Sequence, residues 1–115
     1  MSNDDLTDYA EKIEKFVRKI PEIQFFHHAG RIDASLQDVK GEILVISNFT
    51  LFGTADKGKK LSFTHSAPYA EAEKIYDSLV EALCTAGLRI KTGMFGAEMK
   101  VESVNDGPIN LIFDY

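Results

Sequence analysis

Three histidines and a single cysteine stand in this 115-residue chain beside a scatter of hydroxyl side chains, and these are its candidate nucleophiles, bases and metal ligands. Their spacing argues against most such chemistry. His27 and His28 are adjacent, and neighbours on an extended segment point to opposite faces, so the pair cannot chelate one ion well and no metal site is expected. Cys84 falls on a helical stretch beside Leu83 and Glu81 and is read as inert. His65 lies among Ser62, Thr64 and Ser66, yet the chain has no Gly-x-Ser-x-Gly elbow. A hydrolase pairing Cys84 or Ser47 with His65 is one reading of these residues. Two further segments combine small polar side chains with backbone that turns sharply. One is Ser47-Asn-Phe-Thr-Leu51 at the end of an apolar run, where open sheets expose N–H groups to a ligand; the other is Asn105-Asp-Gly-Pro108. Each also reads as plain turn chemistry, which is the commoner role of such residues. The cationic run Lys57-Gly-Lys-Lys60 reads as a solvated loop or as a phosphate contact.

The elements that must position these groups follow from periodicity. Leu6, Tyr9, Ile13, Phe16, Val17 and Ile20 recur at spacings of three and four, which predicts a helix capped by Ser2 or Asn3 and ended by Pro21. From Pro68 a second helix carries Ala72, Ile75, Tyr76, Leu79, Val80 and Leu83 on one face, with Ser66 or Ala67 as cap and Gly87 as stop. Tyr9 and Tyr76 are expected at the core or its edge. Residues 42–47, apolar and rich in β-branched side chains, predict a strand buried on both faces. Residues 97–104 alternate, a final strand is expected at 109–113, and 23–26 and 88–91 can add edge strands. The expected class is α/β: one domain over residues 1–115, a mixed sheet with two packed helices. Helices on one face leave the other face and an edge bare, and a partner subunit would cover them.

Composition narrows the function classes. Thirteen Lys and Arg against eighteen Asp and Glu give a net charge of −5, which excludes a broad electrostatic grip on duplex phosphates. One cysteine excludes an internal disulfide framework and a multi-cysteine zinc site. No apolar run is long enough for a membrane helix and the N-terminus lacks a secretory signature, so the expectation is a soluble cytoplasmic protein.

Five collinear segments together resemble the D-aminoacyl-tRNA deacylase family. They are Gly41-Glu-Ile-Leu-Val-Ile-Ser-Asn-Phe-Thr-Leu-Phe-Gly53, Lys57-Gly-Lys-Lys-Leu-Ser-Phe63, Ala67-Pro68, Gly93-Met-Phe-Gly-Ala-Glu-Met99 and Val104-Asn-Asp-Gly-Pro-Ile-Asn-Leu111. The resemblance implies hydrolysis of the ester joining a D-amino acid, or glycine, to the terminal ribose of tRNA, which is chiral proofreading. It implies a homodimer and no cofactor. The family's Ser-Gln-x-Thr motif falls on Ser47, Asn48, Phe49 and Thr50 as the catalytic segment, and its Gly-cisPro motif on Gly107 and Pro108, lent to the partner's pocket. Phe63, Ala67 and Met99 match pocket positions, and Lys57, Lys59 and Lys60 match positions near the phosphates of the aminoacyl-tRNA 3' end.

The chain departs from the family pattern at Asn48, where the family has Gln, at Asn110, where it has Thr, and at Lys60-Leu61, where it has Arg-Pro. Family members also begin with strands ahead of the first helix, so the expected fold is deacylase-like but short at its N-terminus. These departures carry an alternative reading, a catalytically inactive deacylase-like subunit or RNA-end-binding module.

Overall fold

The computed structural model describes residues 9–56 and 58–115. The helix start at Leu6, its cap at Ser2 or Asn3, and Lys57 lie outside the described residues. Helix α1 (Tyr9–Lys19) sets Tyr9, Ile13, Phe16 and Val17 half-buried along one stripe and runs into a 3-10 turn, Ile20–Glu22. Pro21, which is buried, has no N–H to continue the α-helical ladder, so the helix tightens and stops there.

The chain then folds back as an antiparallel hairpin of β1 (Gln24–His28) and β2 (Arg31–Ser35). Ala29 and Gly30 both adopt positive φ, +49° and +82°, which matches the twist of the flanking strands. Ser35 ends β2 and caps the one-turn helix α2 (Leu36–Val39). Its Oγ accepts from Asp38 N at 3.2 Å while the Asp38 carboxylate accepts from Ser35 N at 2.8 Å. This reciprocal cap satisfies two helix-start donors at once. The hydrogen bonds from Ser35's backbone and then its side chain hold the Asp38 carboxyl below its ordinary pKa. Ala34, Ser35 and Leu36 are all buried here. Neither β2 nor α2 is among the elements that the sequence pattern predicts.

Strand β3 (Ile43–Val45) pairs in parallel with β4 (Ile90–Thr92), in the register Ile43↔Ile90 and Val45↔Thr92, with α3 (Tyr69–Thr85) as the crossover. Ile75 and Leu83 are the buried residues of α3, and Leu83 is 1% exposed. The end of α3 follows the residues closely: Gly87, at φ +85°, donates to Cys84 O at 3.0 Å, and Leu88 N to Leu83 O at 3.3 Å. That pair of bonds is the Schellman stop that a glycine at this position permits. Its start differs from expectation. Pro68, not Ser66 or Ala67, stands at the N-cap and no side chain caps the helix. Ser66 is engaged elsewhere. Tyr76 donates its hydroxyl to Val45 O at 3.2 Å, fixing α3 to the carboxyl end of β3.

The class is mixed α/β, with the strands in two separate two-stranded sheets. Three expectations need correction. The strand at 42–47 is shorter, and it is not buried on both faces, because a two-stranded sheet leaves Leu44 57% exposed. Residues 97–104 and 109–113 form no strand. Alternation gives such a segment a face but not a neighbour to bond with, and Val104 and Ile112 are each 95% exposed. The C-terminus instead lays Phe113 and Tyr115 edge-on against Phe16 of α1, with centroids at 5.9 and 6.4 Å. No helix among the described residues is long and apolar enough to cross a membrane.

The chain leaves much surface in water. Its accessible area is 9094 Å² at 12.8 kDa, against about 6,300 Å² for a compact monomer of that mass. Its radius of gyration is 15.9 Å, against about 13 Å for a compact chain of this length.

Candidate functional site

Because β3 and β4 are parallel, their carboxyl ends lie side by side, and the chain leaves both into irregular backbone. That is where open α/β sheets place ligands. From β3 the chain enters Ser47 and Asn48, both exposed, and then a 3-10 turn, Phe49–Phe52. Asn48 starts the turn: its Oδ1 accepts from Thr50 N at 3.1 Å and also from the Thr50 hydroxyl. Gly53 N closes it on Thr50 O at 2.9 Å.

Phe49 is 57% exposed and meets Phe63 edge-on, with ring centroids 5.0 Å apart. Gly53 makes this contact possible, since a Cβ there would stand 2.7 Å from the Phe63 ring and 3.0 Å from Thr50 O. Two bonds of 2.8 Å between Thr54 and Ser62 pinch off the intervening loop, so exposed Lys59 and Lys60 stand on a stalk rooted one residue from Gly53 and Phe63. Past Phe63 the chain turns, with Ser66 N donating to Phe63 O at 3.0 Å, and the Ser66 hydroxyl donates to Phe49 O at 3.0 Å. Ala67 is half-buried between this contact and α3.

On the β4 side, Gly93 N donates to Val45 O at 3.4 Å. Met99 lies across Gly93, where a Cβ would come 2.6 Å from its Sδ and 4.0 Å from Ile46 Cγ1. Met99 therefore borders the mouth that β3 opens. Next to it Tyr69, Phe95 and Tyr76 form an aromatic group, with Phe95 5.1 Å from Tyr69 and 5.3 Å from Tyr76. Loss of water around Tyr69, and then the Glu73 carboxylate, push its phenol pKa up.

The fold thus gathers Asn48, Phe49, Thr50, Phe63 and Ser66 by direct contacts and sets Met99 across Gly93. Gly107 and Pro108 stand apart from that group on the surface. The bond between them is cis and Gly107 has φ +112°. The side chain nearest a Cβ at Gly107 is His27, at 3.8 Å. Cys84 is exposed in the last turn of α3, so the rise of the helix puts it about 22 Å from the end nearest Ser66. A nucleophile there cannot share a site with His65. Among the described residues no three His, Cys, Asp or Glu side chains cluster so as to hold a metal ion. What the turn offers is backbone polarity: N–H groups at the mouth of a two-stranded parallel sheet, flanked by aromatic rings.

Sequence reasoning missed Ser66, which it placed as a helix cap, and the Tyr69–Phe95 pair. The signal for Ser66 was its position two residues before Pro68. The residue preceding a proline is held extended, which lifts Ser66 off the helix and frees its hydroxyl.

The family model described as D-Tyr-tRNA(Tyr) deacylase matches residues 5–114. A D-aminoacyl-tRNA deacylase of Acaryochloris marina (strain MBIC 11017) is 42% identical over 109 residues, covering 94% of this chain and 72% of the relative. One of Thermosipho africanus (strain TCF52B) is 41% identical over 108 residues, covering 93% and 72%. Among solved structures, c-Myc DNA Unwinding Element Binding Protein superposes with a TM-score of 0.74 at 37% identity, over 90% of this chain and 71% of that one. The chain belongs to the D-Tyr-tRNA(Tyr) deacylase family.

Proposed function

We propose that this member of the deacylase family hydrolyses the ester between a D-amino acid, or glycine, and the terminal ribose of tRNA, releasing free amino acid and tRNA. The observation that carries the reading is the family match across residues 5–114 together with the 42% identity to a D-aminoacyl-tRNA deacylase. The geometry supports a route without a side-chain base. Backbone N–H groups at Phe49 and Thr50 receive the ester carbonyl and the negative charge that grows on it. The neighbouring 2'-hydroxyl of the substrate's own ribose activates the attacking water. Ser47 lines the entry to this turn. Phe63 and Met99 wall the pocket beside Ala67, and Lys59 and Lys60 contact the acceptor-end phosphates, a role the family resemblance extends to Lys57.

Selection of handedness falls to Gly107 and Pro108. These residues are exposed in one protomer and serve the pocket of a second copy. Their carbonyls accept the substrate's α-amino group and leave no volume where an L side chain would project, whereas a D side chain points to solvent. Rejection by exclusion explains why many D residues and glycine are accepted. A homodimer also suits the excess surface, since about 2,800 Å² beyond the compact expectation is more than a standard interface buries.

The test is release of amino acid from D-aminoacyl-tRNA and its L counterpart. Turnover of the D form with the L form spared is expected. Equal rates on both would overturn chiral selection, and binding of the tRNA end without turnover would leave an inactive deacylase-like module.

A further inference from the structure

We propose that Ser66 is a positioning residue for this reaction, acting on the peptide group between Phe49 and Thr50. The inference rests on the deacylase reading above and adds to it a residue outside the matched motifs. A trans peptide is a rigid plane with its C=O and N–H pointing opposite ways, so whatever holds one end aims the other. Here both ends are held by side chains. Ser66 Oγ donates to Phe49 O at 3.0 Å, and Thr50 N donates to Asn48 Oδ1 at 3.1 Å.

The two contacts differ in kind. Asn48 is local, two residues from Thr50, exposed, and a neutral acceptor. Ser66 is a tether from 17 residues away. Its backbone is fixed by its own bond to Phe63 O, and the Phe63 ring meets Phe49. The tether therefore persists when the local acceptor changes.

That asymmetry suits a donor which must change partners. In the free protein the Thr50 N–H rests on Asn48 Oδ1. An oxyanion forms roughly twice as strong a hydrogen bond as a neutral amide oxygen and displaces Asn48 as charge develops. Ser66 keeps the plane aimed during the exchange, and by donating to the carbonyl it polarises the amide and strengthens its N–H as a donor. The gain is made as the charge appears, so it belongs to kcat and not to ground-state binding.

The experiment compares wild type, Ser66→Ala and Ser66→Thr in steady-state deacylation of D-tyrosyl-tRNA, with the Thr50 amide followed by NMR in the substrate-free chain. Ser66→Ala is expected to lower kcat about tenfold with KM nearly unchanged, the size of one lost hydrogen bond. Ser66→Thr, which keeps the hydroxyl, restores most of the rate. The Thr50 amide resonance moves upfield in Ser66→Ala, in a spectrum otherwise like that of the wild type. A Ser66→Ala chain with wild-type kcat, with a change in KM alone, or with an unmoved Thr50 amide overturns the proposal while the deacylase reading stands. A wild-type chain that releases nothing from D-tyrosyl-tRNA overturns both.

Discussion

Two corners of this molecule use the same local chemistry to opposite ends. At Ser35 and at Asn48 a short polar side chain accepts the backbone N–H two or three residues ahead and starts a single helical turn. At the first corner the cap is reciprocal, Asp38 returning the bond to Ser35 N, and Ala34, Ser35 and Leu36 around it are buried. At the second both bonds run one way, from the Thr50 N–H and hydroxyl to Asn48 Oδ1, residues 47–51 are exposed, and the turn is held from outside by Ser66 and Phe63. A buried, closed cap has no reason to open. An exposed acceptor with a distant tether can release its donor to a ligand without the backbone moving.

By that contrast, mutations at the first corner are expected to cost stability and those at the second activity. The largest effect expected is Leu36→Ala, which removes the buried side chain at the start of α2 and should destabilise by about 2–5 kcal/mol in denaturant titration, with activity per folded molecule kept. Gly53→Ala comes next. The added methyl must push against Phe63 and Thr50 O, and the loss should appear as about a tenfold drop in kcat/KM, equivalent to roughly 1.4 kcal/mol of transition-state stabilisation. A fall in thermal stability alone would blur the distinction between the corners.

The sharpest comparison is a matched pair. Ser35→Ala should lose about 1 kcal/mol of stability, as caps do, while Asn48→Ala should stay within about 0.5 kcal/mol of the wild type because its site is exposed. Calorimetry on both chains checks this, and equal losses would erase the difference drawn between them. The smallest effect concerns pH. The Asp38 pKa is lowered by folding, so its contribution is present above the unfolded carboxylate value of about 4 and is lost as pH falls through the folded value. The stability gap between wild type and Asp38→Asn should therefore narrow toward acid, and a gap that widens would refute the cap's ionic character.

Much of this architecture was legible in the chain. Of the stripe from Leu6 to Ile20 the described part from Tyr9 to Val17 lies on α1, the stripe from Ala72 to Leu83 lies on α3, and Gly87 stops α3 at the position its residue type suggests. The hairpin's second strand was not legible, because its turn is Ala29-Gly30 and lacks the usual Asn-Gly or Asp-Gly signal. Nor was the fate of residues 97–104, whose alternation is the pattern of a strand, or of residues 109–113, whose residue types suit one. Pattern specifies a face, but a strand exists only when another backbone lies beside it.

The same division runs through the site. Ser47-Asn-Phe-Thr50, Gly107-Pro108 and the run to Phe63 are written in the sequence, and with them the family, since they depend on residue types in a fixed order. Which groups meet is a matter of long-range closure. The bond from Ser66 to Phe49 and the Phe49–Phe63 contact arise only when the chain between them folds back on itself, and Gly93 comes to within reach of Ile46 only when α3 crosses over and brings β4 alongside β3. Hydrogen bonds and ring contacts act over a few ångströms, and no periodicity along a chain says which distant residues will come that close.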